Sequence, residues 1–116
     1  MNRTEQKERL EIEAHKHLYN LYNSQPIGRD ELPAVYLSEG VLRGMCIAFG
    51  LCFEVDLRRK ITFFKGDFVD EGRYWFEVEN KEFSEEDAKE RMESYRKEVS
   101  RISLMRQNLG FLNRRI

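Results

Sequence analysis

A chain of 116 residues, 41% hydrophobic and 35% charged, carries enough apolar surface for one core and too much to be a disordered tail. Its formal net charge of −1 excludes a general polyanion binder and a strongly acidic nucleic-acid mimic, because each needs a large charge of one sign. The N-terminus is charged from Arg3 to Glu13 and no apolar run reaches the ~18 residues of a membrane span, so neither signal peptide nor anchor is expected, and the expected location is cytoplasmic.

The first element in chain order is an amphipathic helix from Asn2 to Tyr22. Asn2 or Thr4 suits its cap, and Leu10, Ala14, Leu18, Leu21 and Tyr22 fall on one face. His15 and His17 point about 200° apart on a helix, so they cannot share a metal ion and are expected as ordinary surface or boundary residues. The stretch from Asn23 to Gly28, with Pro26 inside it, is a turn that ends the helix.

Ser38 to Leu57 supports two readings. As a helix, Ser38 caps it, Val41, Leu42, Met45 and Phe49 line one face, and Gly50 closes it in a left-handed cap. Gly40, Gly44 and Ala48 then form a smooth strip where another helix or a strand can come close. As a strand, Met45 to Leu57 alternate apolar with smaller or polar residues, but three glycines weigh against a strand interior. A helix to Phe49 followed by a strand from Leu51 to Leu57 accounts for both the cap and the β-rich end. Cys46 and Cys52 lie in this stretch without CxxC spacing, and both are expected as buried free thiols.

Arg58-Arg59-Lys60 turns the chain into a strand from Ile61 to Lys65, and Gly66 to Gly72 turns it into another from Arg73 to Glu79. Both are aromatic and β-branched. Trp75 is expected to face opposite Tyr74 and Phe76, as alternation along a strand requires.

The last third begins at Phe83-Ser84-Glu85-Glu86-Asp87-Ala88. Ser84 can cap, Asp87 sits where a capping-box acid would, and Phe83 can staple onto Ala88. Apolar residues recur at Ala88, Met92, Tyr95, Val99 and Ile102, then slip phase and resume at Met105, Leu109, Leu112 and Ile116. A helix from Glu85 to Leu109 would be roughly 37 Å long at ~1.5 Å per residue. The slip predicts two roles: Ala88 to Ile102 packs on the sheet, while Met105, Leu109, Phe111 and Leu112 meet a second copy or a partner, or else fold back on the first helix. The fold class is α+β: two N-terminal helices, a three-stranded antiparallel meander and a long C-terminal helix packed on the sheet. One domain is expected over 1–116, with 105–116 a candidate projecting interaction segment and homodimer contact.

Charge is unevenly placed. Ten acids against three bases lie between Asp67 and Glu90, and seven bases against two acids follow from Arg91. Three candidate chemistries emerge. Glu79-Asn80-Lys81 with Asp67 upstream outlines a metal-dependent nuclease site, but the fragment is short and Asp67 lies in a loop, so no catalytic, cofactor or metal residue is assigned. Arg58, Arg59 and Lys60 at a hairpin tip, with Arg106, Arg114 and Arg115, form the nucleic-acid alternative. Against it, the helix before the hairpin offers only Arg43 to bases or phosphates. Trp75 beside Glu77 and Glu79, with Met105, Leu109, Phe111 and Leu112, forms a protein-binding set. The function expected from these residues is non-enzymatic: binding of a macromolecular partner, chiefly a protein, by a regulator or inhibitor. Phages and mobile elements encode proteins of this class against host nucleic-acid-processing or defence enzymes.

Overall fold

The computed structural model describes residues 1–24, 33–82 and 84–114, apart from the side chains at 95, 98, 99, 102 and 106–114. Its elements are α1 (Arg3–Asn23), α2 (Pro33–Phe49), β1 (Leu51–Asp56), β2 (Lys60–Lys65), β3 (Arg73–Glu79) and α3 (Glu85–Arg114), with a 3-10 turn over Val69–Glu71. The architecture is α+β, with helices against a three-stranded antiparallel sheet of order β1-β2-β3.

Asn2 caps α1, its side-chain oxygen accepting from the Glu5 N–H at 2.9 Å. The apolar stripe Leu10, Ala14, Leu18 and Leu21 is buried as its spacing requires. His17 is buried too, at 2% exposure, because 10, 14, 17 and 21 share one helical face; the boundary position expected for it is corrected, while His15 is exposed.

The start of α2 is also corrected. It begins at Pro33, where a missing N–H costs nothing in the first turn, and not at Ser38. Ser38 is an interior residue: its Oγ lies 2.7 Å from His17 Nδ1 and donates to the Val35 carbonyl at 3.1 Å. The helix ends at Phe49, and Gly50 takes a φ of +71°, the left-handed cap its position foretold. The two helices run antiparallel, tied by Asn20 Nδ2 to the Ala34 carbonyl at one end and Arg3 Nη1 to the Phe49 carbonyl at the other.

The sheet offers Leu51, Phe53, Ile61, Phe63, Phe76 and Val78 to the helices. Phe63 and Phe76 stack with centroids 4.7 Å apart at the centre of that core. The ladder slips between Phe63 and Phe64: Phe63 pairs with Phe76, but Phe64 pairs with Tyr74, leaving Trp75 as the extra residue of a β-bulge. Alternation is broken there, so Trp75 does not face away from Phe76 as expected. The two rings meet edge to face at 4.8 Å, and Arg3 and Lys65 lie over the indole at 5.7 and 5.5 Å.

Ser84 and Asp87 form the capping box of α3: Asp87 N–H donates to Ser84 Oγ at 3.2 Å, and Ser84 N–H to Asp87 Oδ2 at 3.3 Å. The staple expected from Phe83 and the turn expected at 25–28 lie outside the described residues. Ala88 is buried, Arg91 sits over the Tyr22 ring at 4.5 Å, and Met92 reaches the cleft between α2 and β1.

Candidate partner-binding site

Antiparallel register arranges the sheet's outer face, the one turned from α1 and α2, in rows. Cys52, Phe64 and Tyr74 stand side by side in one row, Glu54, Thr62 and Glu77 in the next, and Asp56, Lys60 and Glu79 in the third. The first row is apolar at an open surface. Tyr74 is 61% exposed, and Phe68, in the loop that closes this end of the sheet, is 67% exposed. Phe64 is half-buried because the 66–72 loop folds against it: a Cβ added to Gly72 would lie 2.7 Å from Phe64 Cβ and 3.0 Å from the Phe68 carbonyl. Only glycine permits that approach.

Acids surround this aromatic row. Glu54 and Glu77 follow it on the sheet, and Asp67, Asp70 and Glu71 are exposed in the loop beside it. Their field is felt locally. Burial first, then the charges of Asp67 and Glu54, raise the Cys52 thiol above its ordinary value. Cys52 is half-exposed, so the expected burial of both cysteines holds fully only for Cys46. Aromatic rings in a negative frame are suited to an arginine- or lysine-bearing protein segment, through apolar contact, cation–π attraction and ion pairing.

Of the expected protein-binding residues, Glu77 lies on this face and Glu79 at its far end, whereas Trp75 belongs to the core edge under Arg3. Met105 is exposed, with Leu104 beside it. The side chains of Leu109, Phe111 and Leu112 lie outside the described residues. Sequence reasoning took Trp75 for the aromatic that could be exposed beside the acids; the bulge places Trp75 at the core edge and Tyr74 on the open face. That Tyr74, Phe64 and Phe68 gather on this face was not legible because the bulge is silent in the sequence; Phe68, an aromatic between two glycines and several acids, was the one available signal.

The hairpin tip is tied down. Leu57 and Arg58 both take positive φ, 52° and 57°, and Lys60 already belongs to β2, so the turn is Leu57-Arg58-Arg59. Arg58 Nη1 donates to Ser24 Oγ at 3.2 Å, Arg59 pairs with Glu79, and Lys60 lies 3.5 Å from Glu77. Asn80 N–H closes the site on the Arg59 carbonyl at 2.7 Å. Two consecutive left-handed non-glycine residues cost roughly 1–2 kcal/mol each, and these contacts offset it. Arg106, Arg114 and Arg115, the other half of the nucleic-acid set, have side chains outside the described residues.

The nuclease trio is not brought together. Glu79 pairs in register with Lys60 at the start of β2, while Asp67 follows the end of that strand, roughly 17 Å away at ~3.3 Å per residue. Glu79 and Lys81 do share the rim of a groove of about 600 Å³ with His15 and Tyr19. Among the described residues no group of three or more histidines, cysteines, aspartates or glutamates could hold a metal ion, and no helix is long and apolar enough to cross a membrane. The chain matches no family model, no curated protein and no solved structure.

Proposed function

We propose that this is a small non-catalytic binding protein, a regulator or inhibitor whose partner is a protein, and that the open face of the sheet takes a basic, arginine- or lysine-bearing segment of that partner. The observation that carries this reading is the row Cys52–Phe64–Tyr74, in which Tyr74 is exposed and exposed Phe68 lies beside it, ringed by Glu54, Glu77, Asp67, Asp70 and Glu71. A monomer gains nothing by leaving two large rings in water. An exposed aromatic cluster in a mainly acidic frame, in which Glu77 already has Lys60 beside it, suits a hot spot. The bulge supports the reading further, since such irregularities turn side chains toward function at the cost of regular pairing.

The long C-terminal helix belongs to the same proposal. A radius of gyration of 17.5 Å and extents of 62 × 30 × 25 Å exceed the ~13 Å radius of a compact domain this size, consistent with α3 reaching beyond the core as a second contact arm. Its described residues past Met92, among them Arg96, Lys97, Leu104 and Met105, are exposed.

A photo-crosslinking amino acid at position 74 tests the proposal, with the same group at exposed Lys16 as control. Crosslinks in the native cell should form at 74 and vanish when Phe68→Asp is added or salt is raised. Crosslinking that is equal at both positions would reject the sheet face as the site.

A further inference from the structure

The neighbour expected at the Gly40–Gly44 strip of α2 is not met among the described residues, since a Cβ on either glycine would touch nothing within 4 Å. Another side of the same helix does have a neighbour, the edge strand β1. Sheet order gives β1 one paired strand, β2. Gly66 N–H donates to the Gly50 carbonyl at 3.0 Å, and the register runs on from there through Cys52 and Phe64, Glu54 and Thr62, Asp56 and Lys60. In an antiparallel ladder these alternate pairs exchange the hydrogen bonds, so the N–H and C=O groups of Phe53 and Val55 point away from β2. Among the described residues no strand lies on that side. What lies there is a cleft of about 360 Å³, with an apolar lining of Leu21, Val35, Phe53, Val55, Leu57 and Met92. Glu54 lines it as well, and Glu54 faces the other side of the sheet from Phe53 and Val55, so the cleft opens on the strand's edge. Burial fades along β1 until Val55 is 37% exposed.

We infer that this edge takes an extended, basic segment of a partner protein as a fourth strand, laid in the cleft between β1 and α2. A row of outward backbone donors and acceptors is complemented by another extended backbone. The side chains of an added strand alternate between the two faces. Those on the inner face enter the cleft beside Phe53, Val55 and Leu57 and are apolar. Those on the outer face stand beside Glu54 and Asp56, both exposed, and are lysine or arginine. The α2 wall adds no net charge, because Arg43, 5.3 Å from the centre of the Phe53 ring, is paired with Glu39 at 2.8 Å. Arg58, the other base of the lining, donates to Ser24. Charge also decides against a second copy as the occupant. In a two-fold pairing of β1 with itself, Glu54 and Asp56 would oppose the same acids of the other chain, and like charges across a ladder destabilise it. The acids that keep the edge from self-association thus select a basic strand. At ~3.3 Å per residue, a segment of about five residues covers Phe53 to Leu57. This site goes beyond the aromatic row of Tyr74 and Phe68, with which it shares only Glu54 at the border.

A phage-displayed library of random eight-residue peptides, selected on the full chain, tests the inference. Sequences that alternate apolar residues with lysine or arginine should be enriched. Hydrogen exchange at the Phe53 and Val55 amides should be fast in the free protein and slow when a synthetic copy of a selected peptide is added. Val55→Pro removes an N–H that β2 does not use, as proline on an edge strand can, and should weaken that peptide roughly tenfold or more. Glu54→Lys with Asp56→Lys, a change confined to exposed side chains, should do the same and keeps the test open if the proline variant fails to fold. N-methylation of the peptide at alternate residues should abolish binding in one phase and spare it in the other. Phe68→Asp, on the aromatic row, should leave the affinity unchanged. The inference is overturned by slow exchange at Phe53 and Val55 in the free protein, which would show the edge already covered by the chain itself or by a second copy. It is equally overturned by no enrichment, by enrichment of acidic peptides, by binding indifferent to a folded Val55→Pro or to the double charge reversal, or by binding lost on Phe68→Asp. The crosslinking result at position 74 stands apart from all of these.

Discussion

Cys46 shows how far the interior alters one side chain. Burial above all, then the neighbouring Cys52 and against the opposing pull of Arg43, pushes its thiol up to about 12. The folded chain keeps this proton over a range where the unfolded chain gives it up. The stabilisation is therefore complete below the unfolded value of 9.0 and is lost as pH rises from there toward about 12. Each unit in that window is worth about 1.4 kcal/mol at most. Urea midpoints should fall above pH 9.0 in the wild-type chain and fall less steeply in Cys46→Ala. In the native protein a thiol reagent should modify half-exposed Cys52 well before Cys46. The His17–Ser38 contact is a second residue-scale case. Ser38→Ala removes that partner from a buried imidazole and should cost about 1–3 kcal/mol in chemical denaturation. The interior place of His17 was open to sequence reasoning from its spacing to Leu10 and Ala14; only its polarity argued for the surface, and the serine it bonds to is twenty-one residues away.

Among the elements, two glycines make opposite predictions for one substitution. Gly72→Ala drives a methyl group against Phe64 and the Phe68 carbonyl and should destabilise by about 1–3 kcal/mol. Gly44→Ala meets nothing and should gain up to about 1 kcal/mol of helix propensity, read as a higher melting temperature at dilution. At the hairpin tip, Arg58, Arg59 and Lys60 are engaged with Ser24, Glu79 and Glu77. Their triple alanine variant should lower stability, while DNA or RNA affinity at physiological salt stays no tighter than micromolar in either protein. Nanomolar affinity that falls steeply with salt would restore the nucleic-acid reading. Helix α2 explains why boundaries are harder to read than identities. Ser38 has the chemistry of a cap, yet Pro33 has the chemistry of a first helical residue, and the tertiary partner His17 decided between them. The C-terminal glycine cap was legible because a positive φ has few tenants.

For the whole molecule, the layered α+β plan and the order of strands followed from periodicity, glycines and turns, all local signals. What stayed hidden was the slip of one residue beside Trp75, since the choice between a regular and a bulged ladder is made by the packing of Phe63, Phe76 and α1 together. Removal of residues after Asn108 should leave the melting temperature of the domain nearly unchanged, as an arm beyond the core would. A fall of several kcal/mol, the size that core deletions give, would place that segment inside the fold.

The bulge and the helix above it also bear on synthesis. Arg3 and Lys7, in the first turns of α1, lie over Trp75 and Phe76, in the last strand. The helix hairpin and the β1–β2 hairpin are local and can form as they leave the ribosome, but the groove that receives α1 is completed only by β3. Helix α1 is thus enclosed only after β3, made later, is in place. A nascent chain halted before residue 73 should expose Leu10, Ala14 and Leu18 to chaperones and proteases, and release of the remaining strand should protect them in one step.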